Sequence, residues 1–398
     1  MGCKVTYIPL GELAKFESGG TPSKKEERYW NGTIPWISAK TLVGDAVCKS
    51  DLFITKQGLD AGGKLAPKGS LLLLTRGSGL FKRIPLAIAE KDVAYNQDIK
   101  CIEATAEGIS NRYLFYTLKA LEPAISAMLE TTGIGAGKLA TDRLKALRIP
   151  VLDEAARLRV TYIADCINSK LSLNTKLNGY LLELAMARFE SALEGESKKV
   201  RFGDIVSLED SKRVPLNNRD REARKGPYPY YGATSVMDYV DGYLFDGIRV
   251  LLGEDGTVID SEGRPILQYV WGKYWVNNHA HILASSGEYS LEAIYVALRR
   301  TAINHIVTGA VQMKISQRNL KSLELEMPSV KSLDYLQDLF ASYRSTQDES
   351  AKLAFLRDAL LPKLMSGEID VSKIDLMQLN SHLAKRFMFT MASLSICQ

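Results

Sequence analysis

The residues that decide the fold are Asp153–Glu194, DEAARLRVTYIADCINSKLSLNTKLNGYLLELAMARFESALE, a run with no proline and a single glycine, Gly179. Apolar residues recur at Leu158, Val160, Ile163, Ile167, Leu171, Leu177, Leu181 and Leu184. Steps mostly of three and four mark a coiled-coil-like helical stripe and not the alternation of a strand. At about 1.5 Å per residue the helix reaches roughly 60 Å, far more than a small domain needs. Asn174 interrupts the seam, with Asn168 and Asn178 nearby, a pattern that favours register over stability. From Lys331 to Leu361 a second stripe reads Leu333, Leu336, Phe340, Tyr343, Leu353, Leu356 and Leu360, with a polar middle at Gln347 and Ser350. Two long helices with weak centres are expected to pair with each other. Taken singly, each also fits one helix of a larger helical domain.

Working outward, 398 residues are enough for more than one domain. A hydrophobic content of 46% and a charged content of 24% are those of an ordinary globular protein. The apolar run Leu71–Leu74 is too short to cross a bilayer, and the N-terminus lacks the apolar core of a signal peptide. The five cysteines, Cys3, Cys48, Cys101, Cys166 and Cys397, include no Cys-x-x-Cys pair. Neither a disulfide framework nor a zinc ribbon is indicated, and the chain is expected in the cytoplasm with its thiols reduced. A net charge of +5 permits nucleic-acid binding without demonstrating it.

The segment before the first long helix opens with a short strand around Tyr7-Ile8-Pro9 and a helix or turn at Leu10–Leu13. Gly19-Gly20-Thr21-Pro22-Ser23 is loop chemistry. Ile34–Ser38, Leu71–Thr75 and Ile99–Glu103 read as strands, and Asn111–Leu121 as a helix. Leu144 to Pro150 leads into the long helix. Strands and helices do not alternate regularly, so this is a mixed α+β domain and not a βαβ series. The segment after the helix replays the order. Phe202-Gly203-Asp204-Ile205 echoes Leu10-Gly11-Glu12-Leu13, and Val276-Asn277-Asn278-His279 echoes Tyr95-Asn96-Gln97-Asp98. Lys314-Ile315 through Leu320-Lys321-Ser322-Leu323 echoes Lys138-Leu139 through Leu144-Lys145-Ala146-Leu147. The framework repeats and the loops differ, which suggests two related jobs on different targets.

No catalytic constellation is legible. Gly133–Leu139 resembles a phosphate loop but has three residues, not four, before Gly-Lys, and Leu139 where Ser or Thr belongs. It reads as a flexible or DNA-facing turn. His279-Ala280-His281 would place two imidazoles on one face of a strand without a nearby carboxylate or Cys partner, a weak metal case. Glu254-Asp255-Gly256 is first of all a turn signal. Neither a Gly-x-Ser-x-Gly elbow nor a Pro-Pro-Tyr run occurs.

Binding chemistry is plentiful. The first half offers Thr21, Ser23, Lys24, Lys25, Ser38, Lys40, Arg76, Ser78, Lys82, Arg83 and Lys138. The second offers Lys212, Arg213, Arg219, Arg221, Arg224, Tyr230, Tyr231, Thr234, Ser235 and Lys314. Lys and Arg neutralise phosphates, and Arg, Ser and Thr also reach base edges. The intervening Glu209, Asp210, Asp220 and Glu222 fit a solvated charged face as well.

Several of these segments carry a family resemblance. Gly19–Ser23, Tyr29-Trp30-Asn31-Gly32 and Ile34–Lys40 look like the opening of a target recognition domain in the specificity subunits of type I restriction-modification systems. Tyr230–Ser235, Gly253–Gly256 and Trp275–His281 resemble a second class of such domain, and Leu361–Ile369 is similar to the end of the family's second conserved helix. The resemblance implies a non-catalytic reader of double-stranded DNA that assembles with two methyltransferase subunits and, for cleavage, two ATP-dependent translocase-nuclease subunits. It implies no cofactor of the chain's own; S-adenosylmethionine, ATP and Mg²⁺ belong to the partners. The expected organisation is α+β, with recognition domains at 1–150 and 197–328, spacer helices at 151–196 and 329–372, and an unassigned tail at 373–398. Antiparallel pairing of the helices would give a pseudo-twofold reader suited to a bipartite asymmetric site. Two rivals remain: a coiled-coil scaffold without sequence-specific reading, and a standalone DNA-modifying enzyme.

Overall fold

The computed structural model describes residues 5–133, 135–309 and 312–376. They form two compact units, one running to Ser172 and resuming at Ser350, the other Leu173–Glu349. The division falls inside both long helices, Glu154–Leu193 and Tyr335–Met365. The expected tail lies almost entirely outside the described residues.

In the first unit a five-stranded sheet runs in the order Ala14–Ser18, Ile99–Ala104, Leu71–Leu74, Leu86–Ala89, Ala46–Val47. All four leucines of its middle strand are buried, which is why that strand reads as a continuous apolar run. A four-stranded sheet orders Phe53–Ile54, Trp30–Ile37, Val93–Tyr95 and Leu65–Ala66, with a parallel pair at its centre. The helix Asn111–Ala120, capped by the Ser110 hydroxyl on the Tyr113 N–H, buries Tyr113, Leu114, Phe115 and Leu118 in the same core. Arg148–Leu152 is a strand paired antiparallel with Val5–Pro9, a closure that the local pattern of Leu144 to Pro150 did not suggest.

The second unit repeats this plan. Val206–Leu208, Ala280–Ser285, Arg249–Gly253 and Leu267–Val270 form one sheet. Val236–Val240, Lys225–Tyr231, Lys273–Val276 and Phe245–Asp246 form the other, again with a parallel central pair. Helix Leu291–Arg300 has its Ser290 cap, and Ser197–Arg201 pairs antiparallel with Glu324–Pro328. Backbone bonds match one for one at the start of each unit: Leu10 N–H donates to Leu147 O at 2.9 Å, and Phe202 N–H to Leu323 O at 2.7 Å.

The long helices run antiparallel within each unit. In the first, Arg159 bonds the Val371 carbonyl at 2.9 Å while Arg357 bonds Asn168 Oδ1 at 2.9 Å, and Val160, Ile163 and Ile167 share a core with Leu361, Leu364 and Met365. In the second, Asn174 Nδ2 donates to Glu349 at 3.0 Å and Arg188 lies 4.6 Å from the Tyr335 ring. The polar centre expected from Asn174 is therefore a side-chain contact between the helices. Four residues assigned to the stripes point outward: Leu158, Leu184, Leu356 and Leu360 are exposed, while Ala164, Lys170, Asn174 and Ala185 are buried. Small and polar residues occupy the seam positions, so an apolar count alone misplaces its phase.

Candidate nucleic-acid interface

A chain of backbone bonds gathers four loops of the first unit at one edge. Gly20 N–H donates to Tyr95 O at 2.9 Å, Asn96 N–H to Ile37 O at 2.9 Å, Thr75 N–H to Asp98 O at 2.7 Å, and Leu139 N–H to Thr75 O at 2.9 Å. Gly19 is obligatory here, since a Cβ on it would stand 2.1 Å from the Asn96 carbonyl oxygen. The edge thus brings together Thr21, Ser38, Arg76 and Lys138, with Thr21 Oγ1 bonded to the Gln97 side chain. Arg76 and Lys138 are register partners in a small three-stranded sheet formed by Glu130–Thr131, Gly137–Lys138 and Arg76–Gly77. The pseudo-phosphate loop is therefore a hairpin, with Ile134 outside the described residues.

The turn Ser78–Phe81 follows, and the Lys82 and Arg83 N–H groups both donate to Gly79 O. Arg76, Ser78, Lys82 and Arg83 are exposed, as are Ser23, Lys24 and Lys25. Among the described residues, Lys24, Lys25, Arg76, Lys82, Arg83 and Lys138 form no ion pair. Lys40 instead pairs with Asp51 at 2.7 Å, both exposed. The first unit offers an open cluster of cations suited to phosphates and base edges. Its motif reading passed over Gln97, whose exposed amide is matched by Asn278 in the second unit.

In the second unit most of the basic run has partners within the protein. Arg213 is almost buried, bonds the Glu254 carboxylate and the Ala280 carbonyl at 2.7 Å each, and stands 3.7 Å from Asp210. Tyr230 is 1% exposed, and its hydroxyl accepts the Leu216 N–H at 2.9 Å. Both side chains are engaged in contacts within the unit. Arg221 pairs with Asp238 and lies over Tyr230, Arg224 pairs with Asp241 and lies over Trp275, and Lys212 pairs with Glu209 at 2.6 Å. Most of these partners, Asp238, Asp241 and Glu254, come from outside the run, and only Glu209 and Asp210 come from within it. Arg219 is exposed and forms no ion pair among the described residues. Tyr231 is half-buried against Tyr274; Thr234 and Ser235 are exposed at the following turn.

The two histidines have carboxylate partners that were not legible in their neighbourhood. His279 Nδ1 meets Asp255 at 2.7 Å, at the surface. His281 is fully buried, with Nδ1 2.6 Å from Asp210 and Nε2 2.8 Å from the Ile315 carbonyl. Burial would raise the Asp210 carboxyl, but bonds from His281 and the Ile282 N–H, with Arg213 nearby, hold it below the usual aspartate range. Asp210, Glu254 and His281 lie close enough to hold a metal ion. Both His281 nitrogens already have protein partners, however, so the group works as a polar brace.

The two edges superimpose as patterns. Glu254 N–H donates to His279 O at 2.8 Å as Thr75 does to Asp98, and Ile315 N–H donates to Glu254 O at 2.9 Å as Leu139 does to Thr75. Asp255 bridges to Lys314 as Arg76 does to Lys138.

Against known families, the type I restriction modification DNA specificity domain matches twice, at residues 4–178 and 194–353, once for each repeat. The chain belongs to this family. A member from Methanocaldococcus jannaschii, the type I restriction enzyme MjaIX specificity subunit, is 25% identical over 92% of this chain and 93% of its own length. The EcoR124I/EcoR124II specificity subunit of Escherichia coli is 30% identical over 47% of this chain and 46% of its own, so that match spans about half of each protein. The crystal structure of an S subunit from M. genitalium shares the fold, with a TM-score of 0.54 at 16% identity over 91% of this chain and 96% of that one. As a specificity-domain protein, the chain is of mixed α/β architecture with two recognition units and two long helices. Among its described residues no helix is long and apolar enough to cross a membrane.

Proposed function

We propose that the chain is the DNA-reading subunit of a type I restriction-modification complex, each unit reading one half of a bipartite, asymmetric site. The observation that carries this is the repeated edge. One backbone scaffold presents Arg76 and Lys138 in the first unit and Asp255 and Lys314 in the second. A shared frame with different side chains is what two unlike half-sites require, since phosphate contacts fix register and base-edge contacts carry sequence. In this reading residues 1–150 and 197–328 recognise DNA, and the helices at 151–196 and 329–372 set the spacer and receive two methyltransferase subunits. The chain performs no chemistry. S-adenosylmethionine belongs to the methyltransferases, and ATP and Mg²⁺ to restriction subunits where these join. A reader of cellular DNA is expected in the cytoplasm.

The test is to co-express the chain with its methyltransferase in a host lacking adenine methylation and sequence the modified bases. Methylation at a two-part motif with a fixed spacer is expected. Methylation without one would return the scaffold reading, and modification by the chain alone would return the enzyme.

A further inference from the structure

We infer that Asp255 is a specificity-determining residue of the second unit, reading a cytosine in a place where the first unit presents an arginine. The inference rests on the proposed reading of the chain as a two-part DNA reader and adds the class of base edge taken at one position.

The equivalence of Arg76 and Asp255 comes from the backbone alone. Each follows a residue whose N–H donates to the turn after a parallel central strand and whose carbonyl accepts from the last hairpin. Each is register partner to a lysine, Lys138 or Lys314, and each precedes a glycine at positive φ, +146° at Gly77 and +82° at Gly256. Where one edge carries a donor fork, the other carries an acceptor.

Asp255 does more than make a turn. Its Oδ1 is held by His279 Nδ1 at 2.7 Å, and the His279 N–H is itself fixed on Asn277 Oδ1 at 2.8 Å. The Asp255 side chain is 22% and the His279 side chain 46% exposed, so the pair sits at the open edge. Among the described residues no hydrogen bond reaches Asp255 Oδ2. A carboxylate beside a phosphate backbone is costly unless its charge is offset. Lys314 flanks it in register, and Arg213 and Lys314 together hold the neighbouring Glu254.

In the major groove a carboxylate accepts from the cytosine N4 amino group, while arginine takes guanine O6 and N7. Adenine offers an amino group too, but its N7 acceptor lies beside N6 and repels the second carboxylate oxygen. A G·C pair read from its cytosine side is therefore the match.

The experiment uses the full chain in its methyltransferase complex. The methylated motif is sequenced for wild type, D255A and the isosteric D255N, with melting temperature as a check on folding. One specified G·C pair in the half-site read by the second unit should become degenerate in both variants. Discrimination there should fall by about tenfold to a hundredfold, leaving the first half-site and spacer intact. An unchanged second half-site, loss at an A·T pair, or a wild-type second half-site with no specified G·C pair would each overturn the assignment. If the wild-type complex showed no two-part motif at all, the reader hypothesis itself would fall. A two-part motif indifferent to D255A and D255N would sink only the role of Asp255.

Discussion

Replacing Asp210 by Asn tests whether the buried brace holds the second unit together. Asp210 Oδ2 meets His281 Nδ1 at 2.6 Å and Gln317 Nε2 at 2.6 Å, and Oδ1 accepts the Ile282 N–H at 2.9 Å. His281 Nε2 must donate to Ile315 O, which has no proton to give. Burial would raise the Asp210 carboxyl, but the bonds from His281 and the Ile282 N–H hold it below its ordinary value. Asn keeps the shape but removes the charge, and its NH₂ would face Gln317 or His281. Breaking a buried pair costs about 3 kcal/mol or more. For a unit the size of Leu173–Glu349 that lowers the melting temperature by about 6–12 °C. Calorimetry on the purified chain should show this for D210N. K198A, which removes the exposed Lys198–Glu288 pair at 2.7 Å, should leave the melting temperature almost unchanged. The pH dependence follows from the depressed carboxyl. Its stabilisation is whole above the unfolded value of 3.8 and disappears as pH falls through the lower folded one, so wild type and D210N should converge below pH 3.8. A D210N shift of about 2 °C or less, or one no larger than K198A, would refute the brace.

In the first unit, Arg357 bonds both Asp45 and Asn168 at 2.9 Å, so R357A should cost about 2 kcal/mol in denaturant unfolding, with R357K between it and wild type. R76A should relax one position of the first half-site, read by methylation sequencing. K82A/R83A should weaken binding to all sequences alike and flatten the salt dependence by about one to two units of slope. Inserting four helix-forming residues near Asn174 and four near Gln347 adds about 6 Å to each helix and should lengthen the preferred spacer by one or two base pairs. An active complex with an unchanged spacer would show that the helices do not set the distance.

Much of the architecture was local enough to be written in the chain. Val160, Ile163, Ile167, Leu177 and Leu181 define the first helix because a helix repeats its face every three or four residues. The Asn-x-x turns at Asn96 and Asn277, and the Lys-led segments at Lys138 and Lys314, announced the duplication. Tertiary structure decided what depends on the path between distant segments. The seam phase turned on whether Asn174 and Ala185, or Leu158 and Leu184, faced the partner helix. His281 found its carboxylate 71 residues away, and Arg213 found Glu254 41 residues away, which drew one arginine of the basic run into a brace. The correspondence of Arg76 with Asp255 has no signature in residue type, because opposite charges occupy it. Periodicity reports which face a residue takes within its own element. Which charges meet across elements is settled only when the sheets close.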